Sequence, residues 1–474
     1  MTSHANSQVL RFRGPVVGRP SAIALRSAPA AAVLLLVSAA AVALSQSAAV
    51  SLRMALAAGL GLLVILTLAV LRYDAAIVLG MVLLGVVRSE PAPPDAILGI
   101  AMAVGVATGR FRLRAVPRTV RHLLGALVAL NLLSVIDVVD FGAGARYLLI
   151  TLYLVAFSVW LAGYVDSRRR TRLVVGAYVV AAVSSAVLGT LALFLTFPGS
   201  TTLNANGYRA EALFKDPNVF GPFLVSAAVI VLDERLRPGL FARRTILSSL
   251  CLVALAAGIL FAYSRAAWIN LVVAAMVLTL LRARGRGGGR RLLRVAMFTI
   301  VAVVVAVALV DATGSAGFLA QRANSQGYDT DRFNAQRTGV KLALDHPVGI
   351  GPGQFEVRVP LAAHSLYVRT LAEQGIGGLV VMLALVGGTL GLAARNAARG
   401  YDLYGLSSAA LLAAWCGTLV NSVVVDTLHW RHLWLLAALI WACAMLNRAP
   451  GRGAHAPRPA RFRPSASSPP HPGG

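Results

Sequence analysis

The chain has 474 residues, 58% of them hydrophobic and only 13% charged, with 44 Lys and Arg against 18 Asp and Glu for a formal net charge of +26. Apolar runs of about 20 residues, the length a helix needs to cross ~30 Å of hydrocarbon, recur along the sequence, which excludes a soluble globular protein, and their continuity in Ala, Leu and Val excludes a barrel of short alternating strands. The basic excess is not a nucleic-acid signature either, because no basic, aromatic-bearing soluble module is present.

The first residues, 1–27, are basic and rich in Pro, Ser and Gly, and read as a disordered tail. The apolar run that follows, to about Leu44, superficially matches a secretory signal. Its long basic approach and the many later spans make it an uncleaved first helix. In chain order the spans fall near 28–47, 54–71, 75–88, 95–109, 122–139, 147–165, 173–196, 217–232, 246–262, 267–281, 295–311, 374–394, 405–425 and 433–446. The third and fourth are short, and read either as tilted elements or as a re-entrant hairpin. The fold class is therefore an all-α polytopic membrane protein of about 12–14 transmembrane helices, integral over 28–446, with one large outward-facing loop of short helices at 312–373. A second basic, disordered tail occupies 447–474.

Basic residues in short loops stay on the cytoplasmic side. Arg110, Arg112, Arg114, Arg118 and Arg121 mark one such loop, Arg168, Arg169, Arg170 and Arg172 the next, Arg235, Arg237, Arg243 and Arg244 a third, and the run from Arg282 to Arg294 a fourth. Both tails are basic too, so both termini are placed in the cytoplasm. Cys251, Cys416 and Cys443 fall inside spans, which suits buried small residues and indicates neither a disulfide framework nor a metal site.

Three outward segments carry the remaining polar residues. In 198–218, Asp216 followed by Pro217 is a good helix start, while Arg209 lies in a Gly- and Asn-rich loop, either solvated or held for function. In the tight turn 261–268, Arg265 sits at the outer boundary, where arginine is not needed for topology; it either faces a cavity or snorkels to headgroups. In the large loop, 331–345 has Phe333, Val340 and Leu344 at helical spacing with Arg337 and Lys341 on or beside that face. This predicts an amphipathic helix, capped by Asp331 and stopped by Pro347, on the outer leaflet or over a cavity. The glycines of 349–355 lack the preceding strand and following Lys-Ser/Thr of a phosphate loop, and read as a turn back to the membrane. His364 follows, with Arg369 and Glu373 on the first turns of the next helix. Histidine is the side chain best suited to moving a proton near neutral pH, although a hydrogen-bonded interfacial histidine has the same sequence signature.

The order of these motifs carries a resemblance. Arg209 before Asp216-Pro217-Asn218, Ser264-Arg265 at a span boundary, then Asp331-Arg332-Phe333, Pro-Val-Gly-Ile-Gly-Pro-Gly, His364-Ser-Leu-Tyr and Ala-Glu-Gln-Gly-Ile-Gly-Gly together resemble the O-antigen ligase and O-antigen polymerase superfamily over about 200–395. The resemblance implies a membrane glycosyltransferase of the bacterial cytoplasmic membrane, without cofactor or metal, using a polyprenyl-diphosphate-linked glycan as donor and a glycan or glycolipid as acceptor. It also implies that His364 assists the acceptor hydroxyl and that Arg209, Arg265 and one of Arg332 and Arg337 hold the diphosphate. Glu373 is the substitute base if His364 only positions the acceptor. Two other function classes fit a many-span chain: a lipid-linked glycan transporter or flippase, and a non-catalytic partner in envelope polysaccharide assembly. The first normally places ionisable residues at mid-membrane, whereas here they gather at the outer boundary.

Overall fold

Hydrocarbon offers no partner to a backbone N–H or C=O, so apolar spans close their hydrogen bonds internally as helices. The computed structural model describes residues 52–448 apart from 243, 284–288, 290–316 and 318–326. The expected spans at 28–47 and 295–311, both tails and most of the first part of the large loop lie outside the described residues. The chain divides into two compact units at Arg72. The first contributes α1, Leu52–Leu71.

The second unit carries α2 (Tyr73–Val82), α3 (Pro93–Ala107), α4 (Arg118–Leu133), α5 (Phe141–Tyr164), α6 (Arg168–Phe194), α7 (Pro217–Leu236), α8 (Thr245–Phe261) and α9 (Arg265–Ala283). After the undescribed stretch come α10 (Gly327–Asp345), the single turn α11 (Phe355–Arg358), α12 (Leu366–Ala398), α13 (Ser408–Val424) and α14 (Arg431–Leu446). Five helices among the described residues are long and apolar enough to cross a membrane, and six further apolar helices run 10–17 residues. The short third and fourth spans are α2 and α3, packed on one another, with the connecting Val86 and Val87 paired in parallel to Leu213 and Phe214. The all-α polytopic membrane fold is thus what the apolar pattern dictates.

The ion pairs gather at the two opposite ends of the helices. Arg112 meets Asp166 at 2.8 Å and Arg170 meets the same carboxylate at 2.9 Å, all on the basic side. Arg146 meets Glu90 at 3.5 Å and Arg88 meets Glu211 at 3.8 Å on the other. At the basic ends of α7 and α9, Asp233 and Arg282 form a two-pronged pair. Arg282 Nε and Nη2 donate to Asp233 Oδ1 and Oδ2, both at 2.6 Å, and Nη2 also donates to Ser407 Oγ at 2.7 Å. Asp233 is 1% and Arg282 7% exposed, so three elements are clamped by one buried charge pair.

The long helix α12 is broken at Gly375, which has φ 68° and ψ −170°. The break frees carbonyls that a regular helix would use, and the glycine turn of 347–353 takes them: Ile350 N–H donates to Ala372 O at 2.9 Å and Gly351 N–H to Glu373 O at 3.0 Å. In return Ile376 N–H donates to Pro347 O at 3.3 Å. The expected turn is therefore a splice between the outer loop and the helix. A Cβ on Gly375 would stand 2.0 Å from Pro347 O, and one on Gly349 2.3 Å from Glu373 O, so only glycine allows the two backbones this close.

Helix α10 begins at Gly327, four residues before the expected Asp331, and packs on α12 with a different face from the one the periodicity suggested. Ala335, Gly339 and Ala343 turn inward, Gly339 against Val368 and Phe355. Phe333, Val340 and Leu344 are exposed. Small residues win the inner face because they let two helices approach closely, as in membrane packing generally.

Candidate functional site

The outer ends of these elements enclose a polar cavity of about 590 Å³. Its chemistry is organised by Arg369, 4% exposed on the first turns of α12. Arg369 Nη1 donates to Glu373 Oε1 at 2.9 Å and to Glu356 Oε2 at 2.8 Å, its Nη2 reaches Glu356 Oε1, and its Nε lies 2.6 Å from Asp426 Oδ2. Its guanidinium also lies 5.1 Å from the centre of the Tyr147 ring. Tyr147 donates through its hydroxyl to Asp426 Oδ2 at 3.2 Å and packs at a tilt of 43° against His429 with ring centres 3.9 Å apart. The His429 Nε2 is 3.0 Å from Thr151 Oγ1. Burial, then the Arg369 and Arg431 charges, hold the His429 imidazole well below its ordinary range, so it is neutral at physiological pH.

His364 stands where the loop enters α12, at φ 46°, a left-handed conformation costly for a residue with a side chain. Its carbonyl accepts from Gln336 Nε2 at 3.3 Å, which ties it to α10, and Ser365 behind it caps α12 through Val368 N–H. Burial first, then the Arg332 guanidinium, lower its imidazole below the ordinary value, while Asp216 and Asp426 act in the opposite sense. The ring is therefore neutral near pH 7, the form that accepts a proton.

Arg332 and His364 are thus within electrostatic reach of one another, and Arg332 donates to Val424 O, two residues from Asp426. Arg337, one turn further along α10, is exposed. The geometry distinguishes the two arginines the sequence left equal: Arg332 belongs to the group around His364, and Arg337 points away from the packed face.

Arg209 is bonded to the turn that leads into Arg265. Arg209 Nε donates to Ala262 O at 3.0 Å, three residues before Arg265, and its Nη2 donates to Asn218 Oδ1 at 3.2 Å. Asp216 caps α7 by accepting from Asn218 N–H at 2.7 Å, as its position before Pro217 implied. The same carboxylate lines the cavity and acts on both His364 and Glu211, which links the Arg209 turn to the histidine. Asn206, Ala212 and Tyr263 on these loops share the left-handed backbone of His364.

Glu373 is fully buried. One oxygen accepts from Arg369 and, at 3.3 Å, from Phe355 N–H. That post suits a residue that fixes Arg369 better than one that meets a substrate hydroxyl. Tyr147, Asp426, His429 and Arg431, all on the cavity wall, were missed by sequence reasoning. The signal for three of them was the polar run Asp426-Thr-Leu-His429-Trp-Arg431-His432 between two apolar spans. No group of three His, Cys, Asp or Glu side chains among the described residues is placed to hold a metal ion.

A multi-pass helical membrane protein with a polar cavity at one end of its helices is the class these observations define. Residues 250–383 match the family model described as O-antigen ligase, which supports the O-antigen ligase and polymerase superfamily and, with it, an enzyme of glycan transfer. The matched stretch takes in Arg265, α10, the glycine splice, His364 and the outer half of α12. No curated protein matches the chain.

Proposed function

We propose that the protein transfers a glycan from a polyprenyl-diphosphate carrier to a sugar hydroxyl of a second glycan or glycolipid, on the outer face of the bacterial cytoplasmic membrane, with both termini inside. What supports this reading is a half-buried His364 at the entrance to α12, tied to α10 through Gln336, within electrostatic reach of Arg332, Asp216 and Asp426, while Arg209 is bonded to the turn that precedes Arg265.

In this reaction the acceptor oxygen attacks the anomeric carbon and its proton passes to His364. The bond from that carbon to the diphosphate breaks with its electron pair left on the phosphate oxygen. A diphosphate already spreads its charge over several oxygens, and the planar guanidinium forks of Arg209, Arg265 and Arg332 suit those oxygens, so departure needs no general acid. Attack opposite the leaving group inverts the anomeric centre. Asp216 and Asp426 stabilise the imidazolium that forms, and Arg369 with Glu373 holds that side of the cavity in place.

The test is mass spectrometry of lipid-linked glycans from a deletion strain complemented with wild-type or His364→Ala protein at equal membrane levels. Accumulation of polyprenyl-diphosphate glycans with the variant is expected. Single repeats would identify a polymerase and long chains a ligase. Identical glycans in the two strains would remove His364 from the chemistry.

A further inference from the structure

On the side opposite the catalytic cavity, a second pocket of about 570 Å³ lies where the basic ends of α5 and α14 meet the Arg112–Arg114 connection and the hairpin around Tyr404. Its wall is largely apolar, built from Leu113, Val165, Leu403, Met445 and Leu446 among others. The connection lies flat on α5 because Gly163 has no side chain; a Cβ there would stand 3.1 Å from the Arg112 Cβ. Tyr404 holds φ 53° at the tip of the hairpin, a left-handed position for a bulky residue, and it lines this pocket.

The rim is cationic. Arg112 pairs with Asp166 at 2.8 Å, and the same carboxylate takes Arg170 at 2.9 Å, so Asp166 is already held between two guanidinium groups. Arg114 is exposed at the rim. An apolar wall beneath a surplus of arginine is complementary to an amphiphile with an anionic head. By the sidedness of the arginine-rich loops this pocket opens at the cytoplasmic leaflet, where anionic lipid is the abundant molecule of that kind.

We propose that this pocket binds one anionic phospholipid, its phosphate at Arg114 and Arg112 and the upper part of an acyl chain against Met445 and Leu446. The assignment rests on the sidedness of the chain and is independent of the glycan-transfer reading. It has a structural consequence, because α5 and α14 also carry Tyr147 and Arg431 into the catalytic cavity at their other ends. A lipid seated here braces two of the helices that shape the site.

Native mass spectrometry of the detergent-purified full chain tests it, with phosphatidylglycerol and phosphatidylcholine of identical acyl chains added separately. At about 1 kcal/mol per basic residue at a membrane surface, two arginines predict retention of one phosphatidylglycerol at least roughly tenfold over phosphatidylcholine. Arg114→Gln and the pocket-filling Met445→Trp should each lose that molecule, and Arg118→Gln, an exposed arginine that does not line the pocket, should keep it. Equal retention of the two lipids, or retention by both pocket variants, would overturn the proposal. Inorganic phosphate is the third arm: failure to displace the lipid at millimolar concentration supports a lipid site, and ready displacement would make the pocket a site for free phosphate and overturn it.

Discussion

Arg282→Leu leaves the Asp233 carboxylate, 1% exposed, without the cation that meets both of its oxygens. Removing one partner of a buried pair costs about 3–5 kcal/mol, chiefly because the remaining charge is stranded away from water. With an unfolding entropy near 2.1 cal/mol/K per residue over the roughly 355 described residues, this corresponds to a fall in Tm of about 4–7 °C. The double variant Asp233→Leu/Arg282→Leu removes both charges together and fills the space with apolar side chains, so it should lie within about 2 °C of wild type or above it. Thermal unfolding of detergent-purified protein, followed by tryptophan fluorescence, reads both variants. Glycan transfer by the double variant should persist, since the clamp sits at the ends of α7 and α9 opposite those that carry Asp216 and Arg265. A single variant that loses less than about 1 °C, or a double variant as unstable as the single, would refute the reasoning from stranded charge.

Because burial and Arg332 lower the His364 imidazole, its basic form survives to a pH below the ordinary value of about 6.5. Arg332→Gln removes a cation and should move the acid limb of the pH–rate profile upward, while Asp216→Asn removes an anion and should move it downward; unshifted limbs in both would exclude His364 as the titrating group. The same histidine should make stability complete above about pH 6.5 and let it fall as pH drops through the window between the unfolded and folded values, because the unfolded chain there binds more protons. Arg332→Ala should lower turnover about 100-fold, the scale of a lost charge-stabilising donor, and Arg337→Ala should leave it within about twofold; a reversed order in kcat/KM would return the phosphate role to Arg337. Gly375→Ala forces a side chain onto Pro347 O at a left-handed backbone position, and should expose 347–363 to limited proteolysis, which an unchanged digestion pattern would contradict.

The helices were legible in the sequence because the bilayer imposes them through local composition, the length of each apolar run. The Asp216 cap was legible for the same reason, since capping is decided within four residues. The inward face of α10 was not, because hydrophobic periodicity assumes that apolar residues seek the protein, whereas beside a membrane they face lipid equally well and small residues take the packed side. The choice between Arg332 and Arg337 turned on that face. Asp426 and His429 reach the cavity across more than 270 residues of sequence from Tyr147 and Thr151, and no spacing rule connects positions so distant. The i,i+4 pairing of Glu373 with Arg369 was legible in their spacing on one helix.

The splice at Gly375 also sets an order of assembly. As α12 leaves the translocation machinery it carries a gap in its own hydrogen bonding, and the groups that close the gap belong to Ile350 and Gly351, more than twenty residues earlier in the chain. The backbone of α12 at its break is therefore completed only when the glycine turn of 347–353 has folded back against it. His364 thus stands on the stretch of chain that joins the two halves of this splice.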